Sequence, residues 1–178
     1  MRQHGYTKRR TWRKLHLGVD EATGEVVAAV VTTNNFKDSH LLEHLLAQVE
    51  GEVKQVSADG AYDSRNCDDA LRERKARAAI PPRRSARIWQ HGNTKRERHI
   101  RDENLRAIRR TGRREWKRES QYHRRSLAET AVFRVKMITG FRVGARSFDG
   151  QAAQLLVRCQ ALNRMTHLGM PDSHAVAA

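Results

Sequence analysis

A mixed α/β fold with helices packed on a sheet is what this 178-residue chain predicts, from three features of its order. An alternating segment and a more apolar one, separated by a polar turn, read as an antiparallel hairpin. Behind them, helical and strand-like segments alternate, the pattern of a sheet covered by helices. Two further helical segments, 122–138 and 151–162, carry apolar stripes that can cover a sheet face.

The elements follow in order. The first fourteen residues, MRQHGYTKRRTWRK, hold six basic residues, two aromatics and no acid. They read as a nucleic-acid-contacting arm or as a solvated terminus. LHLGVD alternates through Leu15, Leu17 and Val19, DEATGE is a turn, and 25–33 (EVVAAVVTT) is a second strand. Asn34 and Asn35 break it. Asp38 or Ser39 is then expected to cap a helix through Leu41, Leu42, Leu45, Leu46 and Val49, ending near Glu50 before Gly51. A third strand spans 53–58 and ends at Asp59, followed by the turn residues Gly60, Ala61, Tyr62 and Asp63. Ser64 starts a helix through Asp68, Ala70 and Leu71, and 76–80 is a short strand cut off by Pro81 and Pro82.

Residues 81–125 change character, with 16 Lys+Arg against 5 Asp+Glu and poor apolar periodicity. They predict a basic, partly irregular insert with one helix at about 103–110. Trp89 and Trp116 lie within it, either to stack on bases or to pack beneath it. After the helix that begins at Tyr122, 140–150 is a loop or short strand, 151–162 is a last apolar helix, and the chain from Pro171 reads as a disordered tail.

The whole chain carries 35 Lys+Arg against 20 Asp+Glu, a formal charge of +15. Such a balance favours a polyanionic partner, nucleic acid first. Cys67 and Cys159 stand far apart without a CxxC neighbour, which argues against a thiolate metal site and fits a reducing compartment. The spacings of His4, His16, His40, His44 and His91 match no ligand set. No apolar run is long enough to span a membrane and no signal-peptide core is present, so a cytoplasmic location is expected.

The candidate chemistry gathers in YHRRSLAETAVFRVK, 122–136. On a helix at about 100° per residue, Tyr122, Arg125, Glu129 and Lys136 fall within an arc of roughly 60°. Leu127, Ala128, Ala131, Val135 and Ile138 collect opposite as a core stripe. An acid, two cations and a ring on one face suit a phosphodiester: carboxylate for metal, cations for phosphate, ring for a base. Asp59, directly after a buried-looking strand, is where open α/β sheets present site residues. Each has a plainer account. Asp59 can be a turn cap, and Arg125 with Glu129 an ordinary i,i+4 surface pair.

These residues carry a resemblance. Tyr122-x2-Arg125-x3-Glu129-x6-Lys136 resembles the signature of bacterial insertion-sequence transposases of the DDE class, and KRRTWRKLHLGVD, SADGAYDSRNC, IPPRR, YHRRSLAE and ALNRMTHLGMP agree with it. The resemblance implies a partial RNase H-like catalytic domain over 1–170, a mixed sheet with flanking helices and a basic insert at about 81–121, with the tail at 171–178. It implies that Asp59 and Glu129 are the second and third catalytic acids and ligands for Mg²⁺ or Mn²⁺. Tyr122 would stack on a displaced base, and Arg125 and Lys136 would hold DNA phosphates. The partners implied are double-stranded DNA, as transposon ends and target, and a second copy or a full-length transposase, in a cytoplasmic, nucleoid-associated setting.

The family's first acid lies on a strand before KRRTWRKLHL, and the expectation here is that this strand and its aspartate are missing. Asp20 ends a strand beside Glu21 and Glu25 and reads as a solvated turn acid rather than a substitute. The expected activity, metal-dependent strand cleavage and strand transfer, would then be lacking in the chain alone. The alternative is a non-catalytic DNA-binding fragment that inhibits or partners the full-length enzyme.

Overall fold

The computed structural model describes residues 12–90 and 98–169, so the basic arm before Trp12, His4, His91 and the tail from Pro171 lie outside the described residues. Strands β1 (Arg13–Val19) and β2 (Val26–Thr33) form the expected antiparallel hairpin, with Leu15 opposite Val31 and Leu17 opposite Ala29. Asp20 makes its turn: Oδ1 accepts from the backbone N–H groups of Ala22 and Thr23, both at 2.9 Å. Gly24 supplies the positive φ of +73° that closes it.

The helix expected from an Asp38 or Ser39 cap to Glu50 is corrected. A 3₁₀ turn (Asp38–His40) precedes a five-residue helix, α1 (Leu42–Leu46), and neither start has a side-chain cap. The Asp38 carboxylate is drawn to β1 instead, 3.4 Å from Lys14 Nζ and 3.8 Å from His16 Nδ1. Strand β3 (Gln55–Ser57) leads through α2 (Arg65–Glu73) into β4 (Arg77–Ala79), and β3 and β4 pair in parallel. A crossover helix is what a parallel pair requires. Ser64 does cap α2, accepting from the Cys67 N–H at 3.4 Å.

The insert is more ordered than expected. Two helices, α3 (Ile100–Thr111) and α4 (Arg113–Glu119), meet at Gly112, whose φ of +85° turns the chain between them. α4 carries a single apolar anchor, Trp116, which explains why no period announces it. The C-terminal helices are α5 (Ser126–Thr139) and α6 (Phe148–His167). α6 starts four residues earlier than its apolar stripe because Ser147 caps it, accepting from the Gly150 N–H at 3.1 Å.

The protein is α/β, but among the described residues the strands do not join into one mixed sheet: β1 pairs with β2, β3 with β4, as two separate two-stranded sheets. Each pair closes a core of its own. Around β3 and β4, Leu42, Leu46, Cys67, Leu71, Ala76, Ala78 and Ile80 pack together. Against β1 and β2, α5 and α6 contribute Ala131, Val135, Cys159 and Leu162. Asn163 fastens α6 to β2 by exchanging two 2.8 Å hydrogen bonds with the Val26 backbone. α1 touches both β1 and β2 and so links the two halves.

Candidate functional site

Asp59 stands two residues past β3, exposed, at the N-terminus of a 3₁₀ turn (Gly60–Tyr62). Its Oδ1 accepts from the Ala61 N–H at 2.8 Å, so one carboxylate oxygen is engaged in holding the turn. Tyr62 is half-buried within that turn. Burial first, then the charges of Asp38, Asp59 and Cys67, push its phenol up to about 12. The acid-bearing turn therefore lies close to the Asp38 carboxylate as well.

The signature stretch does not run as one helix. Tyr122–Arg125 is a 3₁₀ turn entered through Gln121 in the left-handed region, and α-helical geometry begins only at Ser126. In a 3₁₀ turn residues three apart eclipse. Arg125 consequently lies over the Tyr122 ring, its Cζ 5.2 Å from the centroid, rather than beside it on an open face. Tyr122 is buried, with Trp116 at 6.1 Å between ring centroids and Lys117 Nζ at 5.0 Å. The core stripe narrows too. Ala131 and Val135 are buried, whereas Leu127 and Ile138 are exposed, because α5 meets β1 along a narrow line.

Arg125 is the hub. It forms an ion pair with Glu129 one turn along α5. That hydrogen bond is the main reason its guanidinium is held above its ordinary value; partial burial opposes it, and Tyr122, Glu129 and Asp59 add to it. Glu129 pairs with this cation from α5, and the charge of Asp59, past the end of β3, adds the smallest of these influences. The 3₁₀ turn carrying Arg125 packs directly against β3. Lys136 lies exposed seven residues beyond Glu129, on the same side of α5.

Other candidates are placed elsewhere. Asp20 is absorbed in the hairpin turn, where backbone hydrogen bonds from Thr23 and Ala22 hold its carboxyl below the usual range. No group of three or more His, Cys, Asp or Glu is placed to hold a metal among the described residues. Trp89 and Trp116 pack on protein. Trp116 is buried and donates Nε1–H to Asn104 Oδ1 at 3.2 Å. Trp89 has the Arg101 guanidinium 3.7 Å from its centroid and Arg65 at 5.2 Å. Both cysteines are free and buried, their thiols pushed up by burial.

Sequence reasoning missed the buried charges beside the Asp59 turn: Asp63, Asp68, Arg101 and Asp102. The repeated acid in DGAYDS was a signal, since a second aspartate closing a five-residue turn needs a partner.

A family model described as "Transposase DDE domain" matches residues 1–164. No solved structure matches the chain. The model spans most of the chain, and the protein belongs to the transposase DDE domain family.

Proposed function

We propose that this chain acts on double-stranded DNA as part of an insertion-sequence transposase, with Asp59 and Glu129 as two acids of an RNase H-like cleavage and strand-transfer site. The single observation supporting this best is that the 3₁₀ turn carrying Tyr122 and Arg125 packs directly against β3, the strand that leads into the Asp59 turn more than 60 residues earlier, while Arg125 pairs with Glu129. An isolated i,i+4 surface pair would not need the Asp59 turn beside it.

Two carboxylates from separate elements are suitable donors for a hard cation, and Asp59 keeps Oδ2 outside the turn. Asp59 and Glu129 are the residues that would hold Mg²⁺ or Mn²⁺, which when bound supplies Lewis-acid polarisation of a phosphodiester and activation of water. Arg125 and Lys136 bind phosphate oxygens, Arg125 by its planar fork and Lys136 as a point charge. Tyr122 shapes the floor under Arg125; base stacking on it requires that the ring leave its place against Trp116. The basic insert follows the DNA backbone, in keeping with the chain's excess of 35 Lys+Arg over 20 Asp+Glu.

A third carboxylate has to come from elsewhere. Asp20 is committed to the hairpin turn, Asp38 to Lys14 and His16, and Asp63 to Arg101. Those commitments favour, as a second reading, a non-catalytic DNA-binding chain that pairs with a second copy or a full-length transposase. Purified chain should bind duplex DNA with steep salt dependence, and any metal-dependent nicking should vanish in Asp59→Ala and Glu129→Ala with binding retained. Nicking that survives both substitutions removes the site assignment. A preference for structured RNA over duplex DNA at matched salt removes the DNA reading.

A further inference from the structure

We infer that Asp63 and Arg101 are positioning residues for Asp59: their buried ion pair ties the turn that presents this acid to the basic insert. The inference rests on the assignment of Asp59 to the site, and its test separates the two.

The turn is short. Asp59 opens it, Asp63 closes it with an N–H bond to the Gly60 carbonyl at 3.3 Å, Gly60 and Ala61 offer almost no side chain to pack, and Tyr62 packs against the core around β3 and β4. Its polar anchorage comes from the closing residue. Asp63 Oδ1 accepts from Arg101 Nε at 2.6 Å and Oδ2 accepts from the Arg83 N–H at 2.9 Å. Both partners lie in the insert. The pair is nearly sealed from water, with the Asp63 side chain 3% and the Arg101 side chain 9% exposed.

Arg101 is in turn fixed on every side. Its Nη1 donates to the Arg87 carbonyl at 2.9 Å and to Asp102 Oδ1 at 3.3 Å, and its plane lies on Trp89. Asp102, fully buried, accepts from the Trp89 N–H at 3.0 Å and the Gln90 N–H at 2.8 Å. Beside this, His99 Nδ1 and Asp68 Oδ2 sit 2.6 Å apart, joining the start of α3 to α2.

Buried ion pairs contribute little net stability, because desolvation offsets the attraction. What this one supplies is geometry: two fixed oxygens at the far end of the turn. An Asp59 carboxylate held through Ala61 is then oriented by the insert, so the segment that follows the DNA backbone also sets the acid.

The test compares Arg101→Met, Arg101→Lys and Asp63→Asn with Asn104→Ala. The last removes insert hydrogen bonds to the Ala78 carbonyl and Trp116, neither of which belongs to the turn. Two readouts follow in the full chain alongside Tm: hydrogen exchange of the Ala61 amide, and Mn²⁺-induced broadening of that amide. Loss of the pair should speed Ala61 exchange by about tenfold and weaken Asp59-dependent Mn²⁺ binding by roughly tenfold. Asn104→Ala should change neither at a matched loss of Tm. Arg101→Lys, which keeps the charge and loses the fork, serves if Arg101→Met does not fold and should behave as it does. Unchanged Ala61 exchange in the pair variants, or an equal change in Asn104→Ala, overturns the inference. Wild-type chain with no Asp59-dependent broadening instead overturns the site assignment, and Ala61 exchange still decides the positioning role.

Discussion

Replacing Arg125 by alanine should move DNA binding and metal binding in opposite directions. The guanidinium neutralises Glu129 through an ion pair and lies over the Tyr122 ring, and the turn that carries it packs against β3. Its contribution to stability is small. Glu129 is 65% exposed, so the pair is worth about 0.3–0.5 kcal/mol. The stacked cation adds about 0.5–1 kcal/mol. Together these amount to roughly 1 kcal/mol, a Tm loss of about 2–4 °C for a chain of this size. If Arg125 contacts one phosphate, its removal lowers the slope of log K against log salt by about one. For a cation entering between Asp59 and Glu129 the sign reverses, because a resident positive charge has left. With water-like screening at this exposed position, a unit charge about 4 Å from a divalent ion is worth about 2 kcal/mol, so its removal gives roughly thirtyfold tighter Mn²⁺ binding. Fluorescence anisotropy on a duplex across a salt series reads the first effect, and calorimetric Mn²⁺ titration reads the second. Unchanged salt slope together with unchanged Mn²⁺ affinity would refute the role assigned to Arg125.

Three further outcomes follow from the same structure. His16 is buried against Thr32, and burial, opposed by Asp38, lowers it from 6.5; the unfolded chain therefore takes up the proton first, and stability should be full above pH 6.5 and fall as pH drops below it. Thermal melts at pH 7.5 and 5.5 should show that loss, and His16→Asn should flatten it. Tyr62, raised to about 12, should resist ionisation in an ultraviolet titration, while stability that is complete below pH 10 declines as pH rises toward 12. Leu71, fully buried in the core around β3 and β4, should cost about 2–5 kcal/mol as Leu71→Ala in urea unfolding.

The hairpin was legible because β1 alternates and β2 is a short apolar run, joined by a turn whose Asp and Gly do what those residue types do locally. The crossover of α2 between two short strands was legible for the same reason, each signal being contained in a few residues. What could not be read depends on partners distant in sequence. Asp38 suits a helix cap until Lys14 and His16, more than twenty residues earlier, claim its carboxylate. The insert looked irregular because charge pairs and capped backbone groups order it more than an apolar stripe does; Asp63 and Arg101 meet across 38 residues. At the site, residue type and spacing named Arg125 and Glu129, which form an ion pair, and Asp59, which lies past β3, the strand against which the Arg125 turn packs. The same spacing, wound as a uniform helix, placed Tyr122 on an open face. The 3₁₀ turn and Trp116 put it underneath.

The central claim is the proposal that Asp59 and Glu129 form a divalent-cation site used on DNA. Calorimetric Mn²⁺ titration of the duplex-bound chain, with Asp59→Ala and Glu129→Ala beside it, tests this most directly. The account predicts that each substitution weakens Mn²⁺ binding by roughly tenfold or more, while duplex affinity stays within about twofold because neither acid contacts phosphate directly. Mn²⁺ binding that is indifferent to both substitutions would contradict it.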